Sequence, residues 1–322
     1  MLFRLIVAGA ALALGISLAA AQQYPTRVAK IIVPFPPGGG IDVLVRAIAV
    51  DLTTKWGHAV IIENRAGAGG NIGAEAAAKS PPDGYTLMAS VNLTFTASRY
   101  LYKSLPYDPE HSFTPITLMV QSDQFLLAHP SVSAMDLREL VTLARREPGK
   151  LTYGSYGRGS QPQLVYEFLN KKEGLDLLHV PYKGIAPLLT ALTAGEVLLA
   201  TGSSAVAGEL LKGGRLKALA ISGKRRSPKF PGVPTTAELG YPYVQASIWY
   251  GLFAPAGTPP AIVEKIGTDV RAILKTPAFA ERHAESKGLD VVASTPQDLA
   301  AAILAEKTLT VEMIRAAGIQ PE

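Results

Sequence analysis

Three glycine-rich stretches hold the residues best suited to bind an anion. They are Pro37, Gly38, Gly39, Gly40 and Ile41; then Gly67, Ala68, Gly69 and Gly70; then Ser155, Gly157, Arg158, Gly159, Ser160 and Gln161. Each stands between a short apolar run and a segment of helical periodicity. Residues 30–33 read as a strand, and Ile41, Leu44, Val45, Ile48 and Leu52 then recur at helical spacing. A glycine loop at such a junction presents free backbone N–H groups off a helix N-terminus, where a carboxylate or phosphate binds. The competing explanation for any one loop is a tight turn, because Gly tolerates positive φ and close backbone approach. Three of them on separate strand–helix junctions favour one shared ligand. Arg158 is the best-placed counter-charge, whereas Asp42, in a first helical turn, suits the helix dipole and would repel an anion.

The motifs of covalent and cofactor chemistry are missing. Counted from Gly38, Gly67 or Gly157, the last position of G-x-G-x-x-G falls on Val43, Ile72 or Pro162, so the dinucleotide pattern fails. There is no P-loop and no G-x-S-x-G elbow, and the sequence places no histidine beside Ser155 or Ser160. His58, His111, His129, His179 and His283 never take a metal-ligand spacing, and there is no cysteine to act as ligand or nucleophile. The expectation is a binding site with no catalytic residue, metal or cofactor.

The elements that must position these loops alternate. Strands are expected at 30–33, 59–62 and 85–90 with helices between them, which implies a mainly parallel sheet with ligands outside the carboxyl ends of its strands. Ser90 and Asn92 fall at that end. Two strands at 116–120 and 125–128 flank a polar break at 121–124, and a second strand–helix series runs from 136 to 221. Tyr182 and Ser203 follow strands of that series and join Ser90 and Asn92 as candidate cleft lining. A short helix is expected at 235–239, a strand at 247–253, and helices from 258 and over 296–315. The last helices return most simply to the first domain. The organisation is therefore a first domain of 22–121 plus 246–322 and a second of 122–245, joined by two crossings. Two crossings make a hinge, and a hinge between two sheets makes a cleft that can close.

With 322 residues, 48% hydrophobic and 18% charged, the chain is globular rather than disordered. Its formal charge of +5 comes from scattered lysines and arginines, which argues against nucleic acid and suits a small acidic ligand. Residues 1–21 read as a secretory leader cleaved after Ala21: Arg4, an apolar run too short for a membrane span, then alanines. The mature chain is expected in the periplasm, outside the bilayer and monomeric.

The residues around the loops resemble a known family. Pro34-Phe35-Pro36-Pro37 with Asp42, Glu63-Asn64-Arg65, Pro82-Asp83-Gly84-Tyr85, Leu105-Pro106-Tyr107-Asp108-Pro109, His179-Val180-Pro181-Tyr182 and Ala254-Pro255-Ala256-Gly257 are similar, in order, to the Bug family. These are the extracytoplasmic substrate-binding receptors of tripartite tricarboxylate transporters. The resemblance implies an α/β, type II periplasmic-binding-protein fold, with two α/β domains and a two-crossing hinge around a ligand cleft. It also implies capture of a small carboxylate by backbone N–H groups of the loops at 37–41 and 67–70, a facing loop at 155–161, and delivery to permease subunits. The alternatives are a ligand sensor feeding a two-component system, and an exported hydrolase or transferase on the same scaffold.

Overall fold

The computed structural model describes residues 24–321 apart from Arg158, Lys183 and Lys224. The leader assigned to 1–21 and the counter-charge assigned to Arg158 lie outside the described residues. The chain opens with β1 (Ala29–Val33), α1 (Gly40–Trp56), β2 (Val60–Asn64), α2 (Asn71–Ala78) and β3 (Thr86–Val91). β1 lies between β2 and β3, all parallel. Leu44, Val45, Ile48 and Leu52 put one face of α1 into the core, as their spacing requires. Two short helices, α3 (Asn92–Thr96) and α4 (Ser98–Leu101), lead to β4 (Phe113–Ala128).

β4 corrects the expected break at 121–124, because it is one strand of 16 residues. Residues 113–123 pair antiparallel with β9 (Ser247–Pro255), with Gln121 opposite Trp249 and Asp123 opposite Ser247. The last five residues, 124–128, are flanked by β7 (Leu199–Ser203) and β8 (Lys217–Ser222). Polar side chains do not interrupt the strand, since the backbone ladder passes from one set of partners to the next.

The second series is α5 (Leu137–Arg146), β5 (Thr152–Ser155), α6 (Gln161–Glu173), β6 (Leu178–Pro181), α7 (Ile185–Ala194), β7, α8 (Ser204–Lys212) and β8. The main sheet order is β2-β1-β3-β9-β4-β7-β5-β6, with β8 also on β4 and β10 (Asp290–Val291) pairing Gln121 and Val120. The sheet thus has a first half, with β1, β2, β3, β9 and β10 around the start of β4, and a second half around its end. The segment 235–239 is a turn rather than the expected helix. Glu238 accepts from the Thr235 N–H at 2.7 Å, the Thr235 hydroxyl accepts from the Glu238 N–H at 3.1 Å, and the reciprocal bonds close a single turn.

Helices cover both faces of each half. In the first, α1 and α9 (Pro260–Leu274) pack on one face, and α2, Phe95, Trp249, Phe253 and Leu299 pack on the other. The final helix, α10 (Pro296–Ala316), does not stay with the first half: Leu299 joins that core, while Met313 and Ile314 lie in the core of the second with Leu164, Val165 and Leu169. Phe253 has no exposed surface and stacks on Phe95 with ring centroids 4.0 Å apart. Phe253→Ala leaves a cavity there, so urea unfolding should show a loss of about 3–5 kcal/mol.

Candidate ligand site

The first two glycine loops leave adjacent parallel strands, with Val33 of β1 opposite Asn64 of β2, so they lie side by side. Their contact is close. A methyl group at Gly73 would stand 2.7 Å from Pro34 Cα and 2.8 Å from the Arg65 carbonyl oxygen, so only glycine lets α2 approach the first loop this closely. The Asn64 amide donates to the Phe35 carbonyl at 3.0 Å. Gly39, Gly40 and Ile41, which start α1, and Ala68 and Gly69 have backbone N–H groups with no partner among the described residues. Such groups are normally satisfied by a cap, water or a ligand.

Asp42 organises the first loop. Its carboxylate accepts from the Gly38 N–H at 2.9 Å, from Arg46 Nε at 3.0 Å and from Asn64 Nδ2 at 2.9 Å. Arg46 in turn donates to Asn64 Oδ1 at 2.8 Å, which ties the end of β2 to α1. Burial by itself would raise the Asp42 pKa. The Arg46, Gly38 and Asn64 donors outweigh it and hold the carboxyl below the usual carboxylate range. Its charge is therefore spent on the loop, and an anion in the first turn of α1 meets a neutralised acid.

The third loop, after β5, behaves differently. Gly159 N–H donates to Gln163 Oε1 at 2.8 Å, and both the N–H and the hydroxyl of Ser160 donate to the Gly157 carbonyl, at 3.2 and 2.5 Å. The Gly157 N–H reaches Ser155 Oγ at 3.4 Å. These donors are used within the loop, unlike the unpartnered N–H groups of the first two loops. The third loop meets the first half in two places: Gly159 packs against Leu101, and Gln161 Nε2 donates to the Ser247 carbonyl at 2.5 Å.

Of the remaining expected contacts, Ser90, Asn92 and Ser155 have side-chain partners in the protein. Ser90 has no exposed surface and shares a 2.8 Å bond with the Thr94 hydroxyl. Asn92 donates to the Ser247 carbonyl at 3.0 Å and to Glu306 at 2.5 Å. Ser155 is fully buried, with its Oγ 2.7 Å from His179 Nε2. That serine–histidine pair is not visible from sequence spacing, and it pins a loop: His179 stacks on Tyr153, and the Glu167 carboxylate that could orient it is bonded to the Tyr153 hydroxyl instead. Tyr182 packs beside Gly154 and donates its N–H to the Ser155 carbonyl at 2.8 Å, while Ser203 is the residue before α8.

Tyr250, which is not among the expected site residues, stands beside the first loop. A methyl group at Gly40 would lie 2.7 Å from its hydroxyl, which has no hydrogen-bond partner among the described residues. Burial pushes the Tyr250 phenol up, so it is a neutral donor beside the free N–H groups of α1. Tyr156, on the third loop, lies near Tyr250, and burial pushes its phenol up as well. Alternation along β9 was the available signal: Trp249 and Phe253 face one core and Tyr250 the other face.

Two α/β halves, joined by adjacent strands, with unpaired N–H groups at strand–helix junctions, define the class of two-domain solute-binding proteins. Residues 44–319 match the model of the tripartite tricarboxylate transporter family receptor. The chain is 36% identical to Protein BugT of Bordetella pertussis over 86% of this chain and 85% of that one. It superposes on the Rhodopseudomonas palustris protein Rpa4515 with adipate at a TM-score of 0.82, with 33% identity over 93% of this chain and all of the other. It superposes on MatC of Rhodopseudomonas palustris with bound malate at 0.77, with 31% identity over 90% of this chain and all of that one. The chain belongs to the family of tripartite tricarboxylate transporter receptors. Among the described residues no helix is long and apolar enough to cross a membrane, and no group of three or more His, Asp or Glu is placed to hold a metal ion.

The Asp42 clamp has a pH signature. Its folded pKa lies below the unfolded value near 3.8, so its stabilisation is complete above that value and is lost as pH falls through the folded one. Asp42→Asn should cost about 1–3 kcal/mol at pH 7, the range for a buried donor left without its acceptor. In urea melts the gap between parent and variant should narrow near pH 2.

Proposed function

We propose that this chain is a periplasmic receptor that captures a small mono- or dicarboxylate between its two halves and delivers it to the membrane permease of a tripartite transporter. The observation that carries this reading is the set of unpartnered N–H groups at Gly39, Gly40 and Ile41, beside those of Ala68 and Gly69 and the free hydroxyl of Tyr250. The relatives with bound adipate and malate support the same ligand class. Charge-assisted hydrogen bonds contribute about 1.5–3 kcal/mol each. Four or five therefore reach the roughly 8 kcal/mol of micromolar binding after ordering costs.

In this reading Pro37–Ile41, Gly67–Gly70 and Tyr250 contact the carboxylate. Gly157, Gly159, Ser160, Tyr156, Tyr182 and Ser203 form the facing wall, with Arg158 as a counter-charge. Ser90, Asn92, Ser155 and Gln161 hold those groups in place. We assign residues 22–121 and 246–322 to one domain and 122–245 to the other, with α10 as a strap across both. The receptor acts as a monomer without catalysis, after loss of a leader that ends at Ala21.

A thermal-shift panel of the chain from Gln22 tests the ligand class, with adipate, malate, aromatic acids and the corresponding amides. A ligand at a hundredfold its Kd adds about 2.7 kcal/mol of stability. Acids should raise the melting temperature and amides should not; equal shifts from amides would overturn the reading. Gly40→Ala pushes its methyl into the Tyr250 hydroxyl. It should weaken binding of the best acid roughly ten- to a hundredfold, the worth of one charge-assisted bond.

A further inference from the structure

Glu306, in the middle of α10, is a half-buried acid without a counter-ion among the described residues. Its Oε1 accepts from Asn92 Nδ2 at 2.5 Å and its Oε2 from Trp249 Nε1 at 2.6 Å. Among the described residues no cationic side chain pairs with it, and neighbouring Lys307 turns to Glu110 at 2.6 Å. Burial pushes the Glu306 carboxyl up while the two N–H donors pull it back. A carboxylate drawn partly out of water without a counter-ion loses hydration that its hydrogen-bond donors must replace. Two N–H donors, one on each oxygen, call for acceptors at both, which the ionised form supplies.

The position of Glu306 gives this arrangement a use. N-terminal to it, Leu299 is packed in the first half; C-terminal to it, Met313 and Ile314 are packed in the second. Its partner Trp249 lies on β9, which runs beside the crossing of β4. Its partner Asn92 uses the second amide hydrogen for the Ser247 carbonyl, the same oxygen that Gln161 reaches from α6. One carboxylate therefore joins the strap, the crossing strands and a carbonyl shared between the halves. Trp249 and Tyr250 project to opposite faces of β9, so Glu306 stands away from an anion at Gly40.

We propose that Glu306 is a positioning residue that fixes the angle between the two halves of the ligand-free receptor, and so sets how readily the cleft closes. The proposal rests on the capture reading for its purpose, but its test needs no ligand. Glu306→Gln keeps the shape and replaces one acceptor by a donor, so either Asn92 or Trp249 loses its partner. Trp249→Phe in that background removes the surplus donor and lets the amide oxygen serve Asn92.

The chain has no cysteine, so Val50→Cys on α1 and Lys171→Cys on α6, both exposed, give a clean spin-label pair across the halves. In pulsed electron resonance of the ligand-free protein the labelled parent should show one distance. Glu306→Gln should add a second population of more than about 10%, above the usual level of a minor state. Adding Trp249→Phe should restore the single distance. A Glu306→Gln protein with the parent's distance distribution, even one that melts lower, overturns the proposal and leaves Glu306 a local packing group. Should Glu306→Gln fail to fold, Trp249→Phe alone carries the test: it strips one donor from the carboxylate and must itself produce the second population, and an unchanged distribution overturns the proposal. A protein that passes here but binds no acid in the panel above loses the capture reading and keeps the hinge assignment.

Discussion

The structure depends on two strands crossing its middle together. β4 and β9 run antiparallel through the seam, with Asp123 opposite Ser247, and the Gln124 N–H donates to the Ala246 carbonyl at 3.0 Å just beyond. A chain that passes between two sheets must satisfy its backbone groups at the passage, and here an uninterrupted ladder does so. The same ladder limits relative motion to bending and twisting about one line. It also fixes which loops face each other, since β1 and β2 end on one side of it and β5 and β7 on the other. In the proposed reading the glycine loops close on a ligand because the ladder keeps them in register.

Recognition by backbone amides explains the composition of the first-half site. Amides read charge without a side chain, so the loops need close approach and exposed N–H groups. Gly40 against the Tyr250 hydroxyl and Gly73 against the Pro34 backbone show what that approach requires. An acid at the mouth of an anion site is unfavourable unless its charge is satisfied elsewhere. Asp42 meets that condition through Arg46, Asn64 and the Gly38 N–H, and in doing so it shapes the loop that exposes its neighbours.

Much of this was legible in the sequence, and the limit has a physical origin. Strand–glycine–helix junctions are local, and helical spacing in α1 or the glycines at 38–40 report on residues a few positions away. The alternation of two series likewise predicted two α/β halves. What stayed hidden depends on long-range partners. Glu306 meets Asn92 across 214 positions, and Ser155 meets His179 across 24. The polar residues 121–124 suggested a break because their backbone partners, on β9, β7 and β8, lie far along the chain. Tyr250 was hidden for a related reason, since the side of β9 that faces α1 depends on which neighbours flank the strand.

In the proposed reading, charge reading and selectivity reside in different halves. The unpartnered amides belong to the first half, and in that reading they accept any carboxylate that reaches them. The third loop spends the N–H groups of Gly157, Gly159 and Ser160 within itself, so in that reading it offers shape, with Tyr156 near Tyr250 and Tyr182 beside Gly154. A ligand meets that wall only when the halves come together, so discrimination and closure are one event. An acid of the wrong shape would then bind the open form through its carboxylate and fail to stabilise the closed one. Selectivity is then governed by the free-energy difference between open and closed states as much as by contacts. Residues that never touch the ligand, on the ladder and on the strap behind it, would then contribute to specificity by setting that difference.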